Sequence, residues 1–340
     1  MTLLRRRFCV LAGRVAVAAA AVAALASATG ACGGDDAGGG QRTLRIAVVP
    51  KGTTHAFWKS VEAGARGAAA ELTRDNVRVE VIWKGPLRED DREQQIQVVE
   101  GFASQGVDGL VLAPLDRRAL VRPVEEARRL GVPVVVFDSD LDSRDIVSFV
   151  ATDNARGGEL AAEEMARALK GRGRVLLLRY QENSASTEHR EQGFTKALAR
   201  SPGITLIASD QYSGPTRDTG KRAAENLLNR YGADLDGIFT VNETSTAGML
   251  LALEDAALAG RITTIGFDAI PAFEQAVRAG TLHGIVVQNP TRMGYLSVKA
   301  MVDHILGRPV APRIDTGVAL VTRENVDHPE IQTLLRPPGP

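Results

Sequence analysis

The sequence predicts an α/β protein built from two similar lobes, each a parallel sheet with helices on both faces. Short apolar runs rich in β-branched residues alternate with segments of helical periodicity along most of the chain. Strict β-α-β alternation gives parallel strands joined by right-handed crossovers. More than ten strands are indicated, which is more than one open sheet usually holds. We therefore expect the strands to be divided between two sheets.

The first β-α unit, residues 44–70, defines the pattern. Residues 46–49 form an apolar run with the length and composition of a buried parallel strand. After a loop, apolar residues recur at helical spacing. The loop lies at the carboxyl end of its strand, where open α/β sheets bind ligands. His55, Phe57 and Trp58 are expected at the junction of loop and helix, facing that crevice.

The remaining elements follow the same alternation. Further strands are predicted at 77–82, 107–112, 133–137, 146–151, 174–178, 204–209, 237–241, 262–267, 282–287 and near 314–321. Helices are predicted at 94–105, 119–130, 186–200, 216–230, 244–259, 270–279 and 291–306. A further helix is predicted to follow the strand 146–151 and to end at residue 169. A Pro-rich tail that frays is expected at 329–340.

The N-terminus predicts an export signal. A run of three arginines precedes the mostly apolar stretch 8–28, which has no acidic residue, so a signal peptide is favoured over a membrane-spanning helix. The stretch ends in TGAC, which resembles a bacterial lipobox whose cysteine, here Cys32, is lipidated. An ordinary signal peptide cut nearby is the alternative. Residues 1–32 are therefore interpreted as the signal peptide, and the Gly-rich residues 33–43 as a flexible tether.

Composition narrows the possible functions. Without the four arginines of the predicted signal peptide, 37 basic residues face 41 acidic ones, and this mildly acidic balance argues against nucleic acid as a partner. Cys9 and Cys32 are the only cysteines, so we expect neither a disulfide nor a thiolate metal site in the mature chain. The histidines show no metal-ligand spacing. Because GxGxxG and GKS/T are both absent, no dinucleotide or P-loop fingerprint is present. No cofactor is predicted.

Polar residues directly follow several of the predicted strands. Asp138 and Asp268 each follow an apolar strand, Asn242 and Glu243 follow another, and Gln288 ends a fourth. Carboxylates accept charge-assisted hydrogen bonds from hydroxyls, and amides both donate and accept. The aromatic rings of the first loop could cover the C–H faces of a sugar. The set therefore suits a polyhydroxylated ligand.

Each candidate also has an alternative role. A strand-end aspartate often caps the following helix. Phe57 and Trp58 fit the core face of their helix, and Lys51 suits either a ligand or solvent. Asp153 and Asn154 are interpreted as helix caps or hinge residues. An enzyme is a further class of function, because the two strand-end aspartates could form a glycosidase pair if their separation allowed it.

Eight motifs resemble those of periplasmic sugar-binding proteins of the ribose-binding type, a family that supplies solutes to ABC importers and is related to LacI-type ligand domains. In order they are IAVVPKGTTHAFW, VDGLVLAPLD, VPVVVFDSD, VATDNARGGE, SASTEHREQGF, GIFTVNE, TTIGFDA and GIVVQNPTRMG. The resemblance covers residues 44–322. It implies two Rossmann-like lobes joined by a three-strand hinge, with the ligand buried by hinge closure. The first lobe would span 44–151 plus 289–316, and the second 152–288 plus 317–328.

The resemblance also implies ligand contacts. Arg190, in REQGF, would be a bidentate donor to ligand hydroxyls. His55, Ser139 and Lys51 stand where ribose binders carry asparagine, arginine and a small polar residue, so we expect a pentose, hexose or sugar-like polyol other than ribose. Tyr212 is the nearest candidate for the second-lobe aromatic that stacks on the sugar. Together with the strand-end residues, the predicted contacts are Lys51, His55, Phe57, Trp58, Asp138, Ser139, Arg190, Asn242, Glu243, Phe267, Asp268 and Gln288.

The function implied by these features is a non-enzymatic, monomeric, lipid-anchored receptor that delivers a sugar or polyol to an ABC permease outside the cytoplasm. The alternative is a receptor subunit that docks to a sensor kinase or chemoreceptor, which would need the same closure. A DNA-binding repressor is excluded, because the N-terminus reads as a secretion signal and no helix-turn-helix precedes residue 44.

Overall fold

The computed structural model describes residues 41–336 apart from Asp75. The predicted signal peptide, the lipobox with Cys32, most of the tether and the last four residues lie outside the described residues. Among the helices that are described, none is both long enough and apolar enough to cross a membrane.

Within residues 41–336, twelve strands form two six-stranded sheets. The strands are β1 (Arg42–Val49), β2 (Val77–Trp83), β3 (Gly109–Leu112), β4 (Val134–Phe137), β5 (Ser148–Ala151), β6 (Gly173–Leu178), β7 (Ile204–Ala208), β8 (Gly237–Thr240), β9 (Thr263–Phe267), β10 (Gly284–Gln288), β11 (Arg313–Asp315) and β12 (Val318–Thr322). The first sheet has the order β2-β1-β3-β4-β5-β11 and the second β7-β6-β8-β9-β10-β12. All pairings are parallel except that of β10 with β12. The predicted α/β fold with two lobes is confirmed.

Helices connect the strands and cover the sheets. They are α1 (Ala56–Leu72), α2 (Arg92–Ser104), α3 (Val121–Arg129), α4 (Asn154–Ala168), α5 (Ala185–Leu198), α6 (Arg217–Tyr231), α7 (Glu243–Asp255), α8 (Pro271–Ala279), α9 (Pro290–Ile305) and α10 (Pro329–Leu335). Every residue of β3, β4 and β5 is buried, because both faces of the sheet are covered. The cleft edge of each sheet is therefore the place where polar side chains can reach a ligand.

The chain passes between the two sheets three times: after β5, before β11, and between β11 and β12. Two of these crossings run side by side, because the buried hydroxyls of Thr152 and Thr316 lie 3.3 Å apart. Segments of this kind, at the ends of strands, are where hinge motions between domains are absorbed.

Close packing of α4 against α5 fixes part of the second lobe. A Cβ atom on Gly158 would lie 2.0 Å from the carbonyl oxygen of Arg190, and one on Gly193 would lie 2.1 Å from that of Ala155. Neither position can carry a side chain without separating the helices. The contact holds Arg190 at a fixed distance from the start of α4.

The structure differs from the sequence-based expectation at both ends. The single strand expected near 314–321 is two strands, one in each sheet, separated by Gly317 in the left-handed region (φ 86°). The tail expected to fray from Pro329 is instead α10, since proline favours the first position of a helix and Ile331 is buried against the second lobe. The tether was expected to reach residue 43, but β1 begins at Arg42.

Candidate functional site

A cavity of about 370 Å³, including its mouth, lies between the carboxyl ends of the two sheets. Ten of the twelve predicted contacts line it, and four further residues that the sequence did not single out complete its wall. The ten are Lys51, His55, Phe57, Trp58, Asp138, Arg190, Asn242, Glu243, Asp268 and Gln288. The four are Glu89, Tyr180, Ser186 and Thr187.

Asp138 and Asp268 occupy equivalent places in the two lobes. Each follows the last residue of an inner strand, and each has a left-handed backbone, with φ of 59° and 72°. The alternative role as a helix cap is wrong for both, because the cap position of α8 is Ile270 and the next helix after Asp138 is capped by Asp153. Their carboxylates therefore face the cavity from opposite sides.

Lys51 bridges the lobes at the floor of the cavity. Its Nζ atom lies 3.1 Å from Asp138 Oδ2, 3.0 Å from Ser186 Oγ and 3.4 Å from Ser184 Oγ. The side chain is buried, so the alternative of a solvated lysine is wrong. Because the buried ammonium is paired with Asp138, these two residues bring no net charge to the site.

Glu89, in the loop between β2 and α2, binds three other wall residues. One carboxylate oxygen accepts from Trp58 Nε1 and lies 3.1 Å from His55 Nδ1, and the other accepts from the Tyr180 hydroxyl. Burial alone would raise the pKa of Glu89. The hydrogen bond and charge of His55, together with the hydrogen bonds from Tyr180 and Trp58, instead lower this pKa to about 2. Burial lowers the pKa of His55, yet Glu89 outweighs it and the pKa is raised.

Arg190 is the principal buried donor of the second lobe. Its Nε donates to Asn154 Oδ1 and its Nη1 to the carbonyl oxygen of Val241, both at 2.8 Å. The guanidinium carbon lies 3.8 Å from the centre of the Phe267 ring. Burial lowers its pKa, against the opposing charge of Asp268. The predicted contact Phe267 therefore supports Arg190 instead of lining the cavity, and Asn154 orients the same guanidinium.

The remaining second-lobe residues provide acceptors. Asp268 accepts from Gln288 Nε2 at 2.7 Å and from the backbone N–H of Glu243 at 2.9 Å. Burial raises the pKa of Asp268 to about 6, although Arg190 lowers it. Asn242 caps α7, since its side chain accepts from the backbone N–H of Ser245.

Two acceptor atoms in this wall are buried without a hydrogen-bond partner among the described residues. They are Oε2 of Glu243 and Oε1 of Gln288. The other carboxylate oxygen of Glu243 accepts from Arg217 at 3.2 Å. Buried polar atoms are nearly always paired in folded proteins, so the two free acceptors point to donors supplied by a ligand.

Like Phe267, the predicted contact Ser139 and the candidate stacking residue Tyr212 do not line the cavity. Ser139 is fully buried and its Oγ accepts from the backbone N–H of Ser186. The ring of Tyr212 lies outside the cavity, and its centre is 4.4 Å from the guanidinium carbon of Arg179. Tyr180 supplies the second-lobe aromatic ring of the wall. The sequence could have identified Tyr180 as a wall residue, because it lies two residues after β6, much as Asp138 directly follows β4.

The arrangement of side chains in the cavity suits a small polar ligand. Among the described residues, no group of three or more His, Cys, Asp or Glu side chains is placed to hold an ion. Two hinged α/β lobes with a polar, buried cavity between their strand ends define a solute-binding protein.

Comparison with known proteins places this chain in a family. A family model described as periplasmic binding protein domain matches residues 46–309. The chain therefore belongs to the periplasmic binding proteins, among the type I sugar-binding proteins of the ribose-binding type.

Three similar proteins illustrate the relationship. The D-allose-binding periplasmic protein of Escherichia coli is 31% identical over 274 residues, 78% of this chain and 86% of the relative. The xylitol-binding protein of Mycolicibacterium smegmatis is 26% identical over 87% of this chain and 82% of its own length. An ABC transporter solute-binding protein of Agrobacterium vitis, solved with bound D-fucose, is 32% identical, with a TM-score of 0.81 over 86% of this chain and 99% of the other.

Proposed function

We propose that this protein captures one monosaccharide or sugar-like polyol between its lobes and delivers it to an ABC importer. The observation that carries the proposal is the pair of buried free acceptors, Glu243 Oε2 and Gln288 Oε1, in a cavity that also contains a buried arginine. Hydroxyl groups are the neutral donors that would satisfy both acceptors.

The size and surface of the cavity support a small ligand. Even with its mouth included, the cavity is only about 370 Å³, which suits one sugar ring better than an oligosaccharide. Phe57 and Trp58 offer apolar ring surface for C–H groups, and Arg190 offers a charged donor. The relatives named for D-allose and xylitol, and the neighbour with D-fucose, support a neutral sugar or polyol.

Binding would work by closure. A ligand that contacts Asp138 in the first lobe and Asp268 or Arg190 in the second is fully coordinated only when the lobes meet. It therefore stabilises the closed state by its differential affinity for that state. A permease that reads the closed form would receive loaded protein in preference to empty protein.

We infer no catalytic role. Asp138 is paired with Lys51, and Asp268 accepts hydrogen bonds from Gln288 and Glu243, so both carboxylates already have partners within the wall of the cavity. The relatives are named as binding proteins, which supports the same conclusion.

The remaining parts of the proposal concern location and partners. We propose export through the N-terminal signal peptide, anchoring through a lipid on Cys32, and action as a monomer. Cys32→Ala should release the protein from the membrane fraction and leave sugar affinity unchanged. A wild type recovered only in the soluble fraction would contradict the anchor. Genes for a permease and an ATPase beside this one would favour the importer over a sensor kinase or chemoreceptor.

The ligand itself can be found by a thermal-shift screen of the purified protein against pentoses, hexoses and polyols, with D-allose, D-fucose and xylitol included. One strong stabiliser, confirmed by calorimetric titration and recovered unchanged, is the expected result. The absence of saturable binding across the panel would contradict the proposed function. Turnover of the bound sugar would contradict the non-enzymatic role.

A further inference from the structure

The closed contact between the lobes is built on one short segment of the second lobe, residues 180–188. At the cavity floor, the backbone N–H of Ser186 donates to Ser139 Oγ at 3.1 Å, and Lys51 Nζ reaches Ser186 Oγ. At the rim, the backbone N–H of Arg117 donates to the carbonyl oxygen of Asn183 at 3.0 Å. All of these hydrogen bonds join protein to protein across the cleft.

Glu89 and Tyr180 make a further buried contact across the cleft, and this one involves a carboxylate. Both side chains are buried, and the Tyr180 hydroxyl donates to Glu89 Oε2. His55 and Trp58, which bind the other oxygen, belong to the same lobe as Glu89, so they keep their contact when the lobes separate. Tyr180 alone among these donors comes from the opposite lobe. Opening therefore breaks one of the three contacts of Glu89, and this contact is a charge-assisted hydrogen bond, a strong class in proteins.

We propose that Glu89 and Tyr180 form an interlobe latch, which holds a fraction of the protein closed before any ligand arrives and slows ligand release afterwards. Tyr180 is then a positioning residue for closure, and its contribution does not depend on which sugar or polyol binds. A hydrogen bond to a charged group favours the closed state by about 10- to 100-fold when both partners are buried.

Two backbone amides report on the latch directly. The N–H of Ser186 lies in the first turn of α5, where no intrahelical acceptor exists, so its partner is Ser139 in the other lobe. The N–H of Arg117 likewise donates across the cleft to Asn183. Both are protected from hydrogen exchange only while the lobes are closed. Amide exchange of the sugar-free protein, resolved to single residues, therefore measures the closed fraction.

The test compares Tyr180→Phe with Tyr212→Phe. Both remove one hydroxyl from a second-lobe tyrosine, but Tyr212 lies outside the cavity. We expect Tyr180→Phe to speed exchange at Ser186 and Arg117 by up to about 10- to 100-fold, the full factor applying where the wild type is almost entirely closed. Tyr212→Phe should leave both rates unchanged. The amide of Leu110 in the first sheet and that of His283, which donates to the carbonyl oxygen of Thr264 in the second, check that both lobes of each variant are folded.

Each set of exchange rates either supports or overturns the interlobe latch. Unprotected Ser186 and Arg117 amides in the wild type, or equal rates in the wild type and Tyr180→Phe, would overturn the latch. Glu89→Gln, which keeps the shape but removes the charge, is expected to give intermediate rates. If the amide of Leu110 or His283 exchanges faster in Tyr180→Phe, Glu89→Gln becomes the deciding variant, and wild-type rates at Ser186 and Arg117 in that variant would overturn the proposal. None of these measurements contains a sugar, so failure of the proposed ligand class would leave them unaffected.

Discussion

Arg190→Ala tests the cavity most directly, because this one side chain serves both the fold and the proposed ligand. The substitution removes two hydrogen bonds of 2.8 Å, to Asn154 and Val241, and the stacking on Phe267. Hydrogen bonds from a charged group contribute about 1.5–3 kcal/mol each, and a buried cation–π contact about 2 kcal/mol. Since these contributions overlap, we expect the free energy of unfolding to fall by about 3–5 kcal/mol.

Affinity should fall separately from stability. Arg190→Ala deprives the ligand of a charged donor, and it also removes the cation that holds down the pKa of Asp268, so less of that carboxylate is ionised at neutral pH. We expect the Kd for the bound sugar to rise by at least about 10-fold. Urea denaturation without sugar measures the first effect, and calorimetric titration at a temperature where the variant is folded measures the second.

Arg179→Ala is the matched control. Arg179 also stacks on an aromatic ring, that of Tyr212, and pairs with a carboxylate, Glu191 at 2.7 Å, but it lies outside the cavity. It should lower stability and leave Kd unchanged. If Arg190→Ala behaves in the same way, Arg190 is only a brace within the second lobe, and the proposed ligand position is wrong.

Two further predictions concern pH and packing. The pKa of Asp268 is raised to about 6, so its ionisation weakens the fold, and stability should fall by about 3 kcal/mol as pH rises from about 4 to 6. Glu89, with its pKa lowered to about 2, contributes stability above about pH 4.5 that is lost as pH falls toward 2. Urea denaturation at a series of pH values from about 2 to 7 would show both trends. Asp268→Asn should abolish the fall in stability between about pH 4 and 6, and a variant that keeps this fall would contradict its assignment to Asp268. Gly158→Ala should destabilise the protein and raise Kd, because the added Cβ would meet the backbone of Arg190. Gly101→Ala, whose added Cβ has 4.0 Å of clearance, should do neither. Equal melting temperatures for the two variants would refute the packing argument.

The sequence predicted the strand-end half of the site because that information is local. A polar residue directly after an apolar run, as at Asp138, Asp268 and Gln288, lies at the cleft edge in any parallel α/β sheet. Arg190 could not be derived in this way. It is one charge on a helix, and only the resemblance to a family assigned it to the ligand.

Glu89 was missed for a tertiary reason. Nothing in the loop after β2 distinguishes Glu89 from its acidic neighbours Asp90 and Asp91, which are exposed or cap α2. Its burial depends on donors from α1 and from the other lobe. Phe267 was predicted as a ligand contact, but the alternation of side chains along β9 directs its ring away from the cavity and beneath Arg190.

The left-handed backbone at Asp138 and Asp268 restricts how ligand preference can change in proteins built like this one. Aspartate, asparagine and glycine adopt that conformation most readily, whereas β-branched residues adopt it only at a clear cost. Substitutions that alter the ligand are therefore expected at these two points to favour a carboxylate, an amide or a bare glycine. Diversification should instead fall on residues with ordinary backbones, such as Lys51, His55 and Glu243, so that the aspartates act as fixed reference points around which new specificities arise.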